Sequence, residues 1–186
     1  LDANTTGQEN TALGYEALTT NTTASYNTAV GAYALEKNTT GANNTGVGYQ
    51  AVVFNTTASN NTGVGYYALR ANTTGTENSA LGSSALLSNT TGDANIAIGY
   101  EALDANTTGN YNTAVGRSSL GANTTASDNT AVGYQALKVN TTGTKNTAVG
   151  AYALDANQTS DRNTAFGFNC LTNNTAAENA AFGSHA

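Results

Sequence analysis

Asn27-Thr28-Ala29-Val30-Gly31-Ala32-Tyr33-Ala34-Leu35-Glu36-Lys37-Asn38-Thr39-Thr40-Gly41-Ala42-Asn43 runs directly into Asn44-Thr45-Gly46-Val47-Gly48-Tyr49-Gln50-Ala51-Val52, which opens the same pattern again. The leading Asn recurs as Asn10, Asn27, Asn44, Asn61, Asn78, Asn95, Asn112, Asn129, Asn146 and Asn163, each 17 residues after the last. Asn179 follows after 16, through one deletion in the stretch after Asn174. The unit reads N-T-A-V-G-Y-x-A-L-x-x-N-T-T-G-x-x and is numbered here 1 to 17 from that Asn. Leu1 falls at position 9 and Ala186 at position 8, so 186 residues hold eleven units less one residue. Such a phase predicts a single repeat array over 1–186, taken from a longer fibre. A fixed period of this length is the signature of a solenoid.

The columns divide by chemistry. Position 4 is apolar from Leu13 to Phe182, position 9 is Leu or Val from Leu1 to Leu171, and position 5 is Gly from Gly14 to Gly183. Positions 3 and 8 are Ala or Gly apart from Ser119 and Cys170. Charges keep to positions 6, 7, 10, 11, 16 and 17, save Glu178 in the shortened loop. Thr, Asn, Gly and Val are weak helix formers, and no three-to-four apolar spacing persists beyond one unit. The pattern predicts an all-β, parallel β-solenoid (β-roll) of about eleven 17-residue coils. Short strands are expected at T-A-V and at Y-x-A-L, bent at the Gly and closed by an N-T-T-G turn. Positions 4 and 9 are the expected core. The Asn columns at positions 1 and 12 are expected to stack as amide ladders.

Two medium apolar side chains per coil give too little burial to offset the ordering of 17 residues, even helped by hydrogen-bond ladders. That shortfall predicts a homo-oligomer packed along the solenoid axis. The small columns 3 and 8 are the expected sites of close approach. Tyr15, Tyr33, Tyr49, Tyr66, Tyr67, Tyr100, Tyr134 and Tyr152, all at position 6 or 7, are candidate surface or interface contacts.

The run from Asn27 to Leu35 resembles the N-S-V-A-I-G repeats in the heads of YadA-like trimeric autotransporter adhesins. The whole unit, with its N-T-T-G, is similar to repeat arrays of bacterial and phage tail-fibre-like proteins. The resemblance implies a left-handed parallel roll, a homotrimer, and an extracellular place on a cell surface or virion. The 17-residue unit departs from the shorter adhesin-head repeat.

Composition removes other classes. The chain has no Pro, Met or Trp and one Cys, which excludes a disulfide scaffold and a multi-cysteine metal site. A net charge of −6 with six Lys and Arg disfavours nucleic acid. No apolar run is long enough to insert into a membrane, and no secretory signal precedes the first motif. Glu16 and Glu101 share position 7, while Asp2, Glu36, Asp104 and Asp155 share position 10. With no two acids of one column in adjacent coils, no carboxylate pair for acid–base work is expected. His185 sits at a variable position, and Cys170 reads as a packed small residue with no base beside it. Asp forms no column, which argues against a calcium roll. No catalytic, cofactor or metal site is therefore expected, and the chain is not read as an enzyme.

Two periodic features bear on function. Asn4, Asn21, Asn38, Asn55, Asn72, Asn89, Asn106, Asn123, Asn140 and Asn157 each open an N-x-T sequon and are candidate glycosylation sites. The other account of the same residues is turn chemistry, since Asn174 loses the sequon and keeps the Asn. Position 2 is Thr in eight units, from Thr11 to Thr164. Ranked Thr raises an ice-binding solenoid, against which the adjacent Thr-Thr pair belongs to a turn and not to a T-x-T strand. The leading expectation is a structural and adhesive segment of an extracellular fibre, a surface adhesin or phage tail fibre, meeting a host-surface glycan or receptor. A self-assembling, glycosylated extracellular structural filament is the alternative.

Overall fold

The computed structural model describes residues 1–186 and is all-β, without a helix. Its strands are β1 (Thr11–Leu13), β2 (Thr28–Val30), β3 (Thr45–Val47), β4 (Thr62–Val64), β5 (Ser79–Leu81) and β6 (Ile96–Ile98). They continue as β7 (Thr113–Val115), β8 (Thr130–Val132), β9 (Thr147–Val149), β10 (Thr164–Phe166) and β11 (Ala180–Phe182). All eleven form one parallel sheet in chain order. Each residue pairs with its equivalent one coil later: Thr28 with Thr45, Ala29 with Gly46, Val30 with Val47. The register survives the deletion, since Phe166 still pairs with Phe182. The result is a single parallel β-solenoid.

Only T-A-V is a strand. The expected second strand at Y-x-A-L is instead a pair of overlapping turns. Ala34 N–H donates to Gly31 O at 3.3 Å and Glu36 N–H to Tyr33 O at 3.3 Å, while Tyr33 and Leu35 hold φ of 61° and 51°. A positive φ at the third residue of a four-residue turn is the type II signature. Residues at positions 7, 9 and 17 repeat this left-handed conformation in nearly every coil, although none is Gly. The conformation costs a free residue about 1 kcal/mol. Coil-to-coil bonds hold it in place, such as Leu35 N–H to Ala51 O at 3.0 Å. Gly at position 5 meets two demands at once. Gly31 has φ 126°, and a Cβ on it would lie 2.6 Å from the Gly48 carbonyl oxygen of the next coil.

The core differs from the expected one. From Leu18 to Leu154 position 9 is fully buried, and the small columns at positions 3 and 8 are buried everywhere but in the end coils. Position 4 points outward: Leu13 is 67%, Leu81 51% and Phe182 70% exposed. Alternation along a strand dictates this outcome, because a three-residue strand that turns its middle Ala inward must turn positions 2 and 4 out. Columns 3 and 8 are thus interior packing and not surfaces of approach for another chain.

The two Asn columns complete the interior. Asn38 Nδ2 donates to Asn21 Oδ1 of the previous coil at 3.1 Å and to Gly41 O of its own turn at 2.9 Å. Asn44 N–H donates to Asn27 Oδ1 at 2.9 Å, and Asn27 Nδ2 donates to the same Gly41 O at 3.0 Å. In every coil from Asn10 to Asn146 the position-15 carbonyl therefore accepts from both Asn of its own coil. Buried amides are tolerable here because nearly all their groups are paired.

Candidate contact surfaces

Position 6 follows the Gly bend and position 7 adopts the left-handed turn, so this corner of every coil projects side chains to the same side. Tyr15, Tyr49, Tyr66, Tyr100 and Tyr134 are exposed there, and Tyr33, Tyr67 and Tyr152 are half-buried. The structure brings them together as two stacks. Tyr15, Tyr33 and Tyr49 follow one another edge to face at 5.4 and 5.9 Å between ring centroids. Tyr49 and Tyr66 then stack at 5.7 Å, and Tyr66 meets Tyr67 at 3.9 Å. The second stack runs from Tyr134 through Tyr152 to Phe168 at 5.2 and 6.1 Å. Ser83 and Ser84 separate Tyr66 and Tyr67 from Tyr100.

Two arginines, unremarked in the sequence reading, sit on this corner. Arg117 lies 5.5 Å from the Tyr100 ring and 6.0 Å from Tyr134, bridging Tyr100 to the second stack. Arg70 lies 5.0 Å from both Tyr67 and Phe54. Such contacts contribute about 0.5–1 kcal/mol at exposed sites. For Arg117 the sequence signal was a cation one coil away from an aromatic at the same column, whereas Arg70 meets Tyr67 of its own coil and Phe54 at a different column.

The acids are less dispersed than spacing between coils suggested. Glu101 and Asp104 belong to one coil, and both line a shallow cavity of about 250 Å³ with Ser118, Gly121 and Lys138. Gly121 stands at position 10 where other coils carry a side chain, which opens the depression. Burial first, and then the Glu101 charge, push the Asp104 carboxyl above its ordinary value. The expectation that no two acids meet fails here because it compared acids of one column and not positions 7 and 10 of the same coil. Hydrogen bonding to Glu101 holds the Tyr100 phenol above its ordinary value, and Glu16 does the same for Tyr15. No group of three His, Cys, Asp or Glu gathers anywhere in the chain. His185 Nδ1 lies 2.8 Å from the exposed Ser184 Oγ, and Cys170 is buried with Sγ donating to Ala181 O at 3.3 Å.

The sequon column lies inside. Asn21, Asn38, Asn55, Asn72, Asn89, Asn106, Asn123, Asn140 and Asn157 are fully buried, and Asn4 is half-buried. Every one of their Nδ2 atoms donates to the position-15 carbonyl of its own turn, as Asn72 does to Gly75 O at 2.8 Å. A glycan on Nδ2 and this ladder compete for the same atom.

A further column was missed. Position 16 carries Ser25, Ser59, Asp93, Asn110, Ser127 or Asp161, whose side chains accept from the position-16 N–H one coil earlier. Thr144 N–H donates to Asp161 Oδ1 at 2.6 Å, and this bond holds the Asp161 carboxyl below the usual carboxylate range. Its trace in the sequence was Ser, Asp or Asn recurring at one column among residues of other kinds.

No helix is long and apolar enough to cross a membrane. No protein family, curated protein or solved structure matches this chain.

Proposed function

We propose that the chain is a structural and adhesive segment of an extracellular fibre, of the kind that surface adhesins and phage tail fibres use for reach. The observation that carries this reading is the division of labour within each coil. Interior columns 1, 3, 9 and 12 hardly vary, while the outward corner at positions 6, 7 and 10 changes from coil to coil. Length in such a fold scales with coil number, and eleven strands at about 4.8 Å make a rod of roughly 50 Å. Repeated corner contacts along it would add by avidity. The left-handed, three-chain arrangement of the adhesin heads that the repeat resembles belongs to the same reading.

The test is adhesion by the corner. Beads coated with the chain should bind a panel of cell-surface glycans and receptor extracts, and Y15S/Y49S/Y66S/Y100S/Y134S should lose that binding with its fold unchanged. Equal binding by both would remove the corner from the proposal.

A second reading has an observation of its own. Thr at position 2 and the apolar residue at position 4 point out from the same flat strand, as Thr28 and Val30 do, giving an uncharged T-x-V face. The Thr-Thr turn is therefore not the relevant pair, and an ice-binding solenoid is the alternative. Shaping of ice crystals by the monomer would favour it.

A further inference from the structure

The outward face of the sheet, positions 2 and 4, is the largest feature that neither the corner nor the interior uses. It bears an apolar side chain from every coil: Leu13, Val30, Val47, Val64 and onward to the stacked pair Phe166 and Phe182, 5.3 Å apart. No charge occurs at either position in any of the eleven strands, although the chain carries 18 charged Lys, Arg, Asp and Glu (6 plus 12). Monomeric proteins rarely leave contiguous apolar surface of more than a few hundred Å² open to water.

We infer that this face is where a second copy of the same chain packs. Three observations choose that occupant. The first is extent. Three residues across by eleven strands along give a footprint of roughly 10 by 50 Å, on the order of 500 Å² on each partner. Two such faces bury about 1,000 Å² in total, the lower limit for a specific protein interface. The second is periodicity. A partner reading this face must present complementary ridges at the same rise over eleven steps, and another copy of this solenoid does so by construction. The third is the chemistry of the edge. Stacked β-branched and aromatic side chains alternating with Thr make a dry, interdigitating surface when two like sheets meet. The charge-bearing corner at positions 6, 7 and 10 then stays outside.

This assignment moves the self-association surface from the small columns 3 and 8 to positions 2 and 4. It deepens the fibre reading and rests on its self-association, but the two can fail separately. The experiment is the solution mass of the full chain by light scattering and sedimentation, with three sets of variants. The unaltered chain should show two or more copies at micromolar concentration. V47K/V64K/L81K, placed on the face, should weaken association by more than about tenfold with the circular dichroism of the sheet retained. V47T/V64T/L81T puts a strand-compatible, β-branched polar residue at each position and should weaken association in the same direction, which covers the case where the lysines disturb folding. Y15S/Y66S/Y100S, on the corner, should leave the mass unchanged. A monomeric parent overturns the inference, and so does a monomer that shapes ice crystals, which would assign the face to ordered water. An oligomer dissociated by the corner set and not by the face sets keeps the self-associating fibre and overturns this interface.

Discussion

Val64 and Leu69 lie in one coil, five residues apart, and the same substitution separates their roles. Leu69 is fully buried among Ala68, Leu86 and their neighbours in the continuous core, so L69D places a carboxylate where nothing can pair with it. The expected loss exceeds about 4 kcal/mol, enough to unfold the surrounding coils. Val64 points outward from β4, and V64D should cost the isolated chain about 1 kcal/mol or less. Urea unfolding of both variants at concentrations where each is monomeric checks the difference, and equal losses would return position 4 to the core. Asp104 offers a second test at this scale. Burial, followed by the Glu101 charge, raises its folded-state pKa above the unfolded value, so the folded state holds the proton more tightly. Stability from this group therefore rises as pH falls through the folded value, and levels off below the unfolded value near about 3.9. D104N should raise the melting temperature at neutral pH, and the advantage should vanish at a pH below that unfolded value. A gain that persists unchanged into acid would assign the effect to packing instead of charge.

At the level of the element, the coil is one three-residue strand joined to a long path of turns, and the Asn ladders splice the turns together. The one-residue deletion after Asn174 shows what the ladders contribute. Asn174 Nδ2 turns to Ala176 O at 2.7 Å and no longer reaches back to Asn157. Asn157 Oδ1 and Asn163 Nδ2 are left buried without a partner. Inserting one Thr after Thr175 restores N-T-T and the full period. With both orphaned groups repaired, the chain should gain on the order of 2 kcal/mol, read as a rise in the denaturant midpoint. No gain would mean that water already serves these atoms. Much of the coil was legible before the structure: the period, the strand at T-A-V, the Gly bend and the two amide columns all follow from residue type at fixed spacing. The inside of the strand was not, because T-A-V admits two facings and the larger residue was given the core. The better signal was variance. Position 9 is almost always Leu, as a closed interior of fixed volume requires, while position 4 ranges over Val, Leu, Ile and Phe, as an outer face allows. The turns at Y-x-A-L were hidden for another reason: Tyr33 and Leu35 have no intrinsic preference for positive φ and adopt it only against a neighbouring coil.

Over the whole molecule, that dependence of each coil on the next decides how the rod responds to damage. A coil alone would carry three left-handed non-Gly residues, a handful of turn bonds and no core. Its stability comes from the sheet and ladders shared with the coils on either side. In the sheet each strand pairs only with its immediate neighbours in sequence, with no long crossover to tie distant parts together. The same arrangement kept the corner aromatics illegible as stacks in the sequence, since Tyr49 and Tyr66 are neighbours only once the coils are superposed. Energetics of this kind approximate a sum of repeat and nearest-neighbour terms. Leu86 lies in the fifth full coil, fully buried, and L86A removes three heavy atoms from the middle of the core column. The expected cost is about 2–5 kcal/mol. Amide hydrogen exchange should show where it falls. Protection should drop in the coils bearing Leu69, Leu86 and Leu103 and fade outward, with the coils of Leu18 and Leu154 unchanged. A uniform drop from Leu18 to Leu154 would show that the rod opens as one cooperative unit, and the nearest-neighbour account of its stability would have to be abandoned.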